Sequence, residues 1–277
     1  MIEIDNKKLA SVVSSFQVPA KPQILTEIQS LMADDEPSID KIAELISSDV
    51  GLSSAILKII NSPLYGVNRK ISKIRHAVMA LGLKAVGGLV VALVLKSTMR
   101  GESSISLESF WKDSSDLANA MSFIGSRIDV KVPQETLYSI GLFQNCGIPI
   151  LAMKYSDYDE VLLEAGRAGT NSIELEEIKY KTNHAVLGYF VATSWHLPNE
   201  ICRIILQHHD VEYLFEITGS TEQLAFAILK AAENLVERVK RNDVAPDWKY
   251  VEARVFDVLG ISAMDYIELE DEYTSRH

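Results

Sequence analysis

The stretch that decides the fold class is Ser48–Gly66, with the sequence SDVGLSSAILKIINSPLYG. Its apolar side chains recur at intervals of three and four residues, as on one face of an α-helix: Leu52, Ala55, Ile56, Ile59 and Ile60. We expect this helix to end at Asn61 and Ser62, because Pro63 has no amide hydrogen with which to continue it. The stretch therefore predicts one amphipathic helix followed by a fixed turn.

The same spacing extends outward in both directions from this helix. Ser38 is a predicted N-cap for the preceding helix, and Ser72 for the following one, which should stop at Gly82. Towards the carboxyl end, the pattern predicts a last pair of helices over residues 223–239 and 248–259, then an acidic tail from Asp265. No segment alternates apolar and polar residues for a useful length. The sequence therefore predicts an all-α protein, a compact multi-helix bundle.

Composition limits the class of partner. The 277 residues carry a net charge of -11, and 47% of them are hydrophobic. A strongly acidic protein repels phosphate backbones and anionic lipid surfaces. We therefore expect a globular protein that binds neither nucleic acid nor a membrane.

Three features indicate the compartment. Cys146 and Cys202 lie far apart in the chain and form no disulfide framework, which favours a reducing environment. Residues 83–95 form the most apolar stretch, but it is shorter than the ~20 residues that cross a bilayer. The first ten residues lack the apolar segment of a signal peptide. These observations predict a cytoplasmic protein.

Several separated motifs occur together in an order that resembles the HDOD family, bacterial signalling modules related to HD-type metal-dependent phosphohydrolases. The family's most distinctive segment resembles the stretch that ends in Asn61, Ser62, Tyr65 and Gly66. The other matching motifs are VPAKP at 18–22, ALG at 80–82, FW at 110–111, GLF at 141–143, His184 with Gly188, WHLP at 195–198 and QHH at 207–209.

The resemblance implies a division of the chain. An HDOD-like domain is expected over residues 16–213, with an amino-terminal helical lobe at about 16–100 and an HD-like lobe at about 107–213. The serine-rich loop at 101–106 would separate these lobes. Residues 214–277 would form a helical extension packed on the domain.

The resemblance also places a site, and the residues at its ligand positions differ from those of the enzymes. HD-type hydrolases hold divalent metals through His and Asp side chains, which lower the pKa of bound water. This chain has Asp113, Gln144 and Asn145 at three of these positions. Neutral amides bind such metals poorly, so the comparison implies a degenerate site. Glu233 is the carboxylate nearest to the last ligand position, but helical geometry predicts that it lies on a solvated face with Lys230 and Glu237.

Three histidines leave a metal possible. His184, His208 and His209 correspond to ligand positions of related two-metal enzymes, and three imidazoles can bind zinc. The alternative is that they are hydrogen-bonded residues of the core. We expect no resident cofactor and retain a divalent metal at these histidines as the alternative.

Three hypotheses for the function follow. The first is a non-catalytic bacterial signal-transduction module that binds a signalling protein or a small regulatory ligand. The second is a metal-dependent phosphohydrolase or phosphodiesterase with an atypical His-based site. The third is a nucleotide sensor in which Arg127 or Lys181 assists the cleft residues. An exposed turn at Tyr65 could also dock a partner. The oligomeric state stays open.

Overall fold

The computed structural model describes residue 16 and residues 20–62, 70–128 and 130–275. In the first half of the chain the helices are α1 Gln23–Met32, α2 Ile39–Ser48, α3 Val50–Ile60, α4 Ile74–Leu81, α5 Leu83–Thr98, α6 Leu107–Arg127 and α7 Gln134–Phe143. In the second half they are α8 Gly147–Lys154, α9 Tyr158–Ala168, α10 Ile173–Tyr180, α11 His184–Ser194, α12 Asn199–Gln207, α13 Tyr213–Glu216, α14 Thr221–Arg241, α15 Trp248–Leu259 and α16 Ala263–Thr274. Helices are the regular structure throughout these described ranges, which contain no strand. The all-α prediction is confirmed.

Side-chain hydrogen bonds define both ends of helix α3. The Asp49 carboxylate accepts a hydrogen bond from the backbone amide of Leu52 at 2.9 Å and caps the first turn. At the other end, the Asn61 amide nitrogen donates to the carbonyls of Leu57 and Ile71, and its oxygen accepts from the Ile71 amide, each at 2.7 Å. Asn61 therefore fastens the helix end to a segment ten residues later. Tyr65 and Gly66, with any docking role for the turn, lie outside the described residues.

The next two helices form the centre of the amino-terminal part. The predicted cap at Ser72 is wrong: α4 follows Lys73 and has no side-chain cap. Gly82 does end α4, with a φ of 89° that suits glycine, and α5 begins at the next residue. Helix α5 is mostly buried, and it approaches α1 closely at Gly87. A Cβ at Gly87 would lie 2.5 Å from Cε of Met32.

A layer formed by α6, α7 and α14 makes up the core of the carboxyl-terminal part. Gly141 lets α7 approach α6, because a Cβ there would lie 2.6 Å from Cα of Ala118. Helix α14 packs against both, and the side chains of Phe226, Ile228 and Leu235 are fully buried. Although α14 lies beyond the predicted HDOD-like boundary at 213, it forms part of the core around the site described below.

Helices α7 and α8 lie within a second apolar stretch. Residues 134–154 are long and apolar enough to cross a membrane by length and composition, but 78% of their most apolar window is buried inside the protein. Such burial is typical of a core helix. Cys146 in the turn between α7 and α8 is a free, buried thiol, as is Cys202, so the prediction that they form no disulfide is confirmed.

The predicted acidic tail from Asp265 is wrong. Residues 263–274 form α16, whose inward face consists of Tyr266, Leu269 and Tyr273. The Tyr266 hydroxyl donates to the Ala231 carbonyl at 2.8 Å and joins α16 to α14. The apolar residues recur at helical spacing, but the acidic residues between them masked the pattern.

Candidate functional site

Three imidazole rings meet where the start of α11 faces the end of α12. Nε2 of His184 lies 3.0 Å from Nε2 of His209 and 3.4 Å from Nε2 of His208. One ring nitrogen from each histidine falls within 4.8 Å of the others. His184 and His208 are buried, and His209 is partly buried. The structure therefore brings together the three histidines that the sequence singled out.

A buried carboxylate orients His184. Both carboxylate oxygens of Glu176 lie 2.9 Å from Nδ1 of His184, and the His184 backbone amide donates to Oε2 at 2.7 Å. The hydroxyls of Tyr158 and Ser172 donate to Oε1, each at 2.6 Å. Burial opposes ionisation, but His184 and the hydroxyl donors outweigh it and hold the pKa of Glu176 at about 2. Nδ1 of His184 therefore carries a hydrogen, and Nε2 faces the other two rings.

His208 is oriented in the same way by a backbone carbonyl. Its Nδ1 donates to the Ile205 carbonyl at 2.7 Å, and its Nε2 lies 3.0 Å from Oδ1 of Asn145. Burial first, and then the charges of neighbouring groups, lower the pKa of both His208 and His209 well below the ordinary value. Converging Nε2 atoms, with acceptors behind His184 and His208, fit a divalent transition metal, because metal-bound histidines are commonly oriented in this way.

Sequence reasoning missed Glu176. It lies in α10 among Glu174 and Glu177, both exposed, so the segment has the appearance of a solvated acidic helix. The signal that could have found it is the amphipathic position of Glu176, together with its placement just before His184.

A cleft of about 590 Å³ opens beside the histidines. Its wall contains Asp113, Gln144, Asn145 and His209, so four of the six predicted site residues line one cavity. The remaining two, His184 and His208, lie behind this wall and contact it through His209 and Asn145. Arg127 and Lys181, the donors suggested for a nucleotide, are not among the described residues that line it. Arg127 pairs instead with Glu272 on α16.

The three substituted ligand positions differ in their surroundings. The side chain of Asp113 is 57% exposed and pairs with Lys240 at 2.7 Å. Gln144 is 4% exposed, and its Oε1 has no hydrogen-bond partner among the described residues. Asn145 contacts His208. These positions therefore bring one exposed, paired carboxylate and two amides to the cleft.

The prediction that Lys230 and Glu233 lie on a solvated face is wrong. Lys230 is 2% exposed, and its Nζ lies 3.0 Å from Glu233 and 3.3 Å from Asp247, at the start of α15. Burial lowers the pKa of Lys230, but the two carboxylates outweigh it and raise the pKa above its ordinary value. Burial likewise raises the pKa of Glu233, and Lys230 partly offsets this effect. The helical pattern of α14 alone could not show that later residues cover this face.

Comparison with known proteins shows which family and which proteins this chain resembles. The sequence pattern of the HDOD domain matches residues 18–211. An uncharacterised protein from Treponema pallidum (strain Nichols) is 25% identical over 219 residues, which are 76% of this chain and 42% of the relative. The protein YuxH of Bacillus subtilis is 33% identical over 79 residues, 28% of this chain and 19% of YuxH. The chain thus spans less than half of the length of these curated relatives.

Two solved structures share the fold over nearly the whole chain. A candidate phosphohydrolase from Shewanella amazonensis SB2B has a TM-score of 0.72 at 17% identity and is aligned over 97% of this chain and 94% of its own. An HDOD domain protein from Geobacter sulfurreducens has a TM-score of 0.69 at 22% identity, over 97% and 93% of the two chains. At these identities the likeness shows a common fold.

Proposed function

The chain belongs to the HDOD domain family, and we propose that it is a regulatory module whose cleft binds a signalling protein or a small ligand without hydrolysing it. One observation carries this proposal: three carboxylates of the cleft that could replace missing metal ligands are already paired with protein cations. Asp113 pairs with Lys240, and Glu233 and Asp247 pair with Lys230. The site is proposed to be degenerate at the positions of Asp113, Gln144 and Asn145.

The electrostatic argument is direct. A hydrolytic metal needs anionic or imidazole ligands that no other cation neutralises, because its charge is what acidifies the bound water. The buried ammonium of Lys230 supplies positive charge beside Gln144 and Glu233, and it would repel a divalent ion there. The amides of Gln144 and Asn145 keep the polarity of the cleft wall but add no negative charge. These features support a binding role in a bacterial, cytoplasmic signalling protein.

A hydrolysis assay tests the proposal. Purified protein with added Mn²⁺, Zn²⁺ or Mg²⁺ is expected to leave p-nitrophenyl phosphate, bis-p-nitrophenyl phosphate and cyclic dinucleotides intact. His184→Ala and His208→Ala variants serve as matched controls for contaminating enzymes. Metal-dependent hydrolysis that both variants abolish would contradict a non-catalytic module.

A second candidate function, a phosphohydrolase with a His-based site, is favoured by the converging Nε2 atoms. In that case His184, His208 and His209 would hold a divalent metal, which would supply an activated water. Glu176 and the Ile205 carbonyl would fix the ring orientations. Elemental analysis of protein purified without chelators or a metal-affinity column separates the candidates. About one transition metal per chain, lost in His208→Ala, would support this second function, and a value near zero would exclude it.

A further inference from the structure

We infer that the cleft selects uncharged or cationic ligands with a largely apolar body and an N–H or O–H donor, and that it rejects phosphorylated ligands. This inference rests on the proposed binding role and names the ligand class. It also excludes nucleotides, which the relation to HD-type phosphohydrolases would suggest as ligands.

The donor requirement follows from Gln144. Its side chain is 4% exposed, and it lines the cleft. Its Oε1 is buried and has no hydrogen-bond partner among the described residues, and a buried acceptor without a donor is destabilising. A ligand donor that reaches Oε1, as the Gln144 side chain turns toward the cleft, satisfies this acceptor.

The charge preference follows from the groups around the cleft. Four carboxylates line it: Asp113, Glu233, Glu237 and Asp247. Two cations, Lys240 and Arg241, also line it, and Lys230 lies behind the lining, where it pairs with Glu233. These groups give three positive charges against four negative ones. Each cation is already engaged in an ion pair with a carboxylate. A phosphate would have to break such a pair or enter a site whose nearby charges already sum to a negative value, and both are costly in a partly buried site. A neutral or cationic group meets neither penalty.

Apolar side chains form a large part of the remaining wall. Ile105, Phe110, Leu117, Ile148, Leu162 and Val236 line the cavity. A volume of about 590 Å³ lies in the range of pockets that bury small organic molecules, and such pockets bind mainly through apolar contact with a few placed polar groups. The apolar wall supplies affinity, and Gln144 supplies orientation.

Matched ligand triplets test the inference. Phenethyl, indolylethyl and naphthylmethyl skeletons are each titrated as the amine, the primary amide and the carboxylate, with binding followed by heteronuclear NMR on the full chain. We expect the amine or the amide of at least one skeleton to bind tenfold or more tightly than its carboxylate. Equal or tighter binding of the carboxylates, or no binding by any triplet, overturns the inference.

Substitutions test whether Gln144 causes the preference for ligands with a hydrogen-bond donor. Gln144→Met keeps the side-chain length but removes the acceptor, and we expect it to weaken amide binding at least fivefold. Gln29→Met is the matched control, because Gln29 also has a buried oxygen without a hydrogen-bond partner among the described residues but lies outside the cleft. Equal effects of the two substitutions, or none from Gln144→Met, count against the inference. The triplet comparison on the unmodified chain stands even if a variant fails to fold, and the hydrolysis assay above tests the proposed function separately.

Discussion

At the scale of single residues, the most informative side chain is Glu176. A buried carboxylate is stable only when other groups replace its hydration. Glu176 accepts hydrogen bonds from the hydroxyls of Tyr158 and Ser172 and from the backbone amide and Nδ1 of His184. The sequence could place His184 on an apolar face, but it could not show which of several glutamates faced it. The pairing of Glu176 with His184 depends on how α10 and α11 pack together, and the local sequence pattern does not show this packing.

We predict that Glu176→Gln lowers the free energy of unfolding by about 2–4 kcal/mol at neutral pH, because the amide cannot accept from all of these donors. Urea denaturation measures the change. Glu174→Gln is the control on the same helix: Glu174 is exposed, so its change should stay within about 0.5 kcal/mol. Similar losses from both substitutions would show that the buried network contributes little.

At the scale of helices, the boundaries follow from local chemistry and the packing does not. Asp49, Asn61 and Gly82 end or begin helices for reasons that are visible in the sequence. Apart from the predicted cap at Ser72, which α4 lacks, the errors concern contacts: the acidic residues of α16 hid its apolar stripe, and α14 alone could not show that Asp247 would cover Lys230. Helical spacing describes one face of one helix, whereas burial also depends on the elements that arrive later in the chain.

The close approach of α6 and α7 gives a prediction for glycine. Gly141→Ala should destabilise the protein by about 1–3 kcal/mol, because its methyl group would overlap the Ala118 backbone, which cannot move aside as a flexible side chain would. Gly166→Ala is the matched control in α9, where nothing lies within 4 Å of the new methyl group. There we expect stabilisation of up to about 1 kcal/mol. Thermal unfolding of both variants compares the signs, and the same sign at both sites would refute the close contact.

The junction between α14 and α15 gives a second prediction at this scale. Lys230→Met leaves Glu233 and Asp247 facing each other without a cation, and breaking a buried pair in this way costs about 3–5 kcal/mol. Lys240→Met, on the same helix, removes a more exposed cation and should cost about 1 kcal/mol or less. Urea denaturation compares the two variants. A small loss from Lys230→Met would mean that the carboxylates find other compensation.

At the scale of the whole molecule, the packed core extends beyond the residues that match the family. The matching pattern ends at residue 211, and the sequence suggested an extension packed on a finished domain. Yet α14 lies against α6 and α7 with Phe226, Ile228 and Leu235 fully buried, and it supplies Glu233 and Lys240 to the cleft wall. Motif order was enough to recognise the family and its six candidate site residues. It could not show that the second wall of the cleft comes from beyond the motifs.

A shortened chain tests this view. We predict that a chain ending at Tyr213 does not unfold cooperatively, because it exposes the faces of α6 and α7 that α14 covers and removes fully buried side chains such as Phe226 and Leu229. Burying such side chains contributes about 1.5–3 kcal/mol each, so the joint loss of Phe226, Ile228, Leu229 and Leu235 is comparable to the ~5–15 kcal/mol by which domains are stable. Calorimetry and 1-anilinonaphthalene-8-sulfonate binding measure the outcome. A chain ending at Thr274, which retains every helix from α1 to α16, should unfold like the full chain. If the chain ending at Tyr213 unfolds sharply and binds no dye, residues 16–213 fold alone, and the helices that follow are an addition to a complete domain.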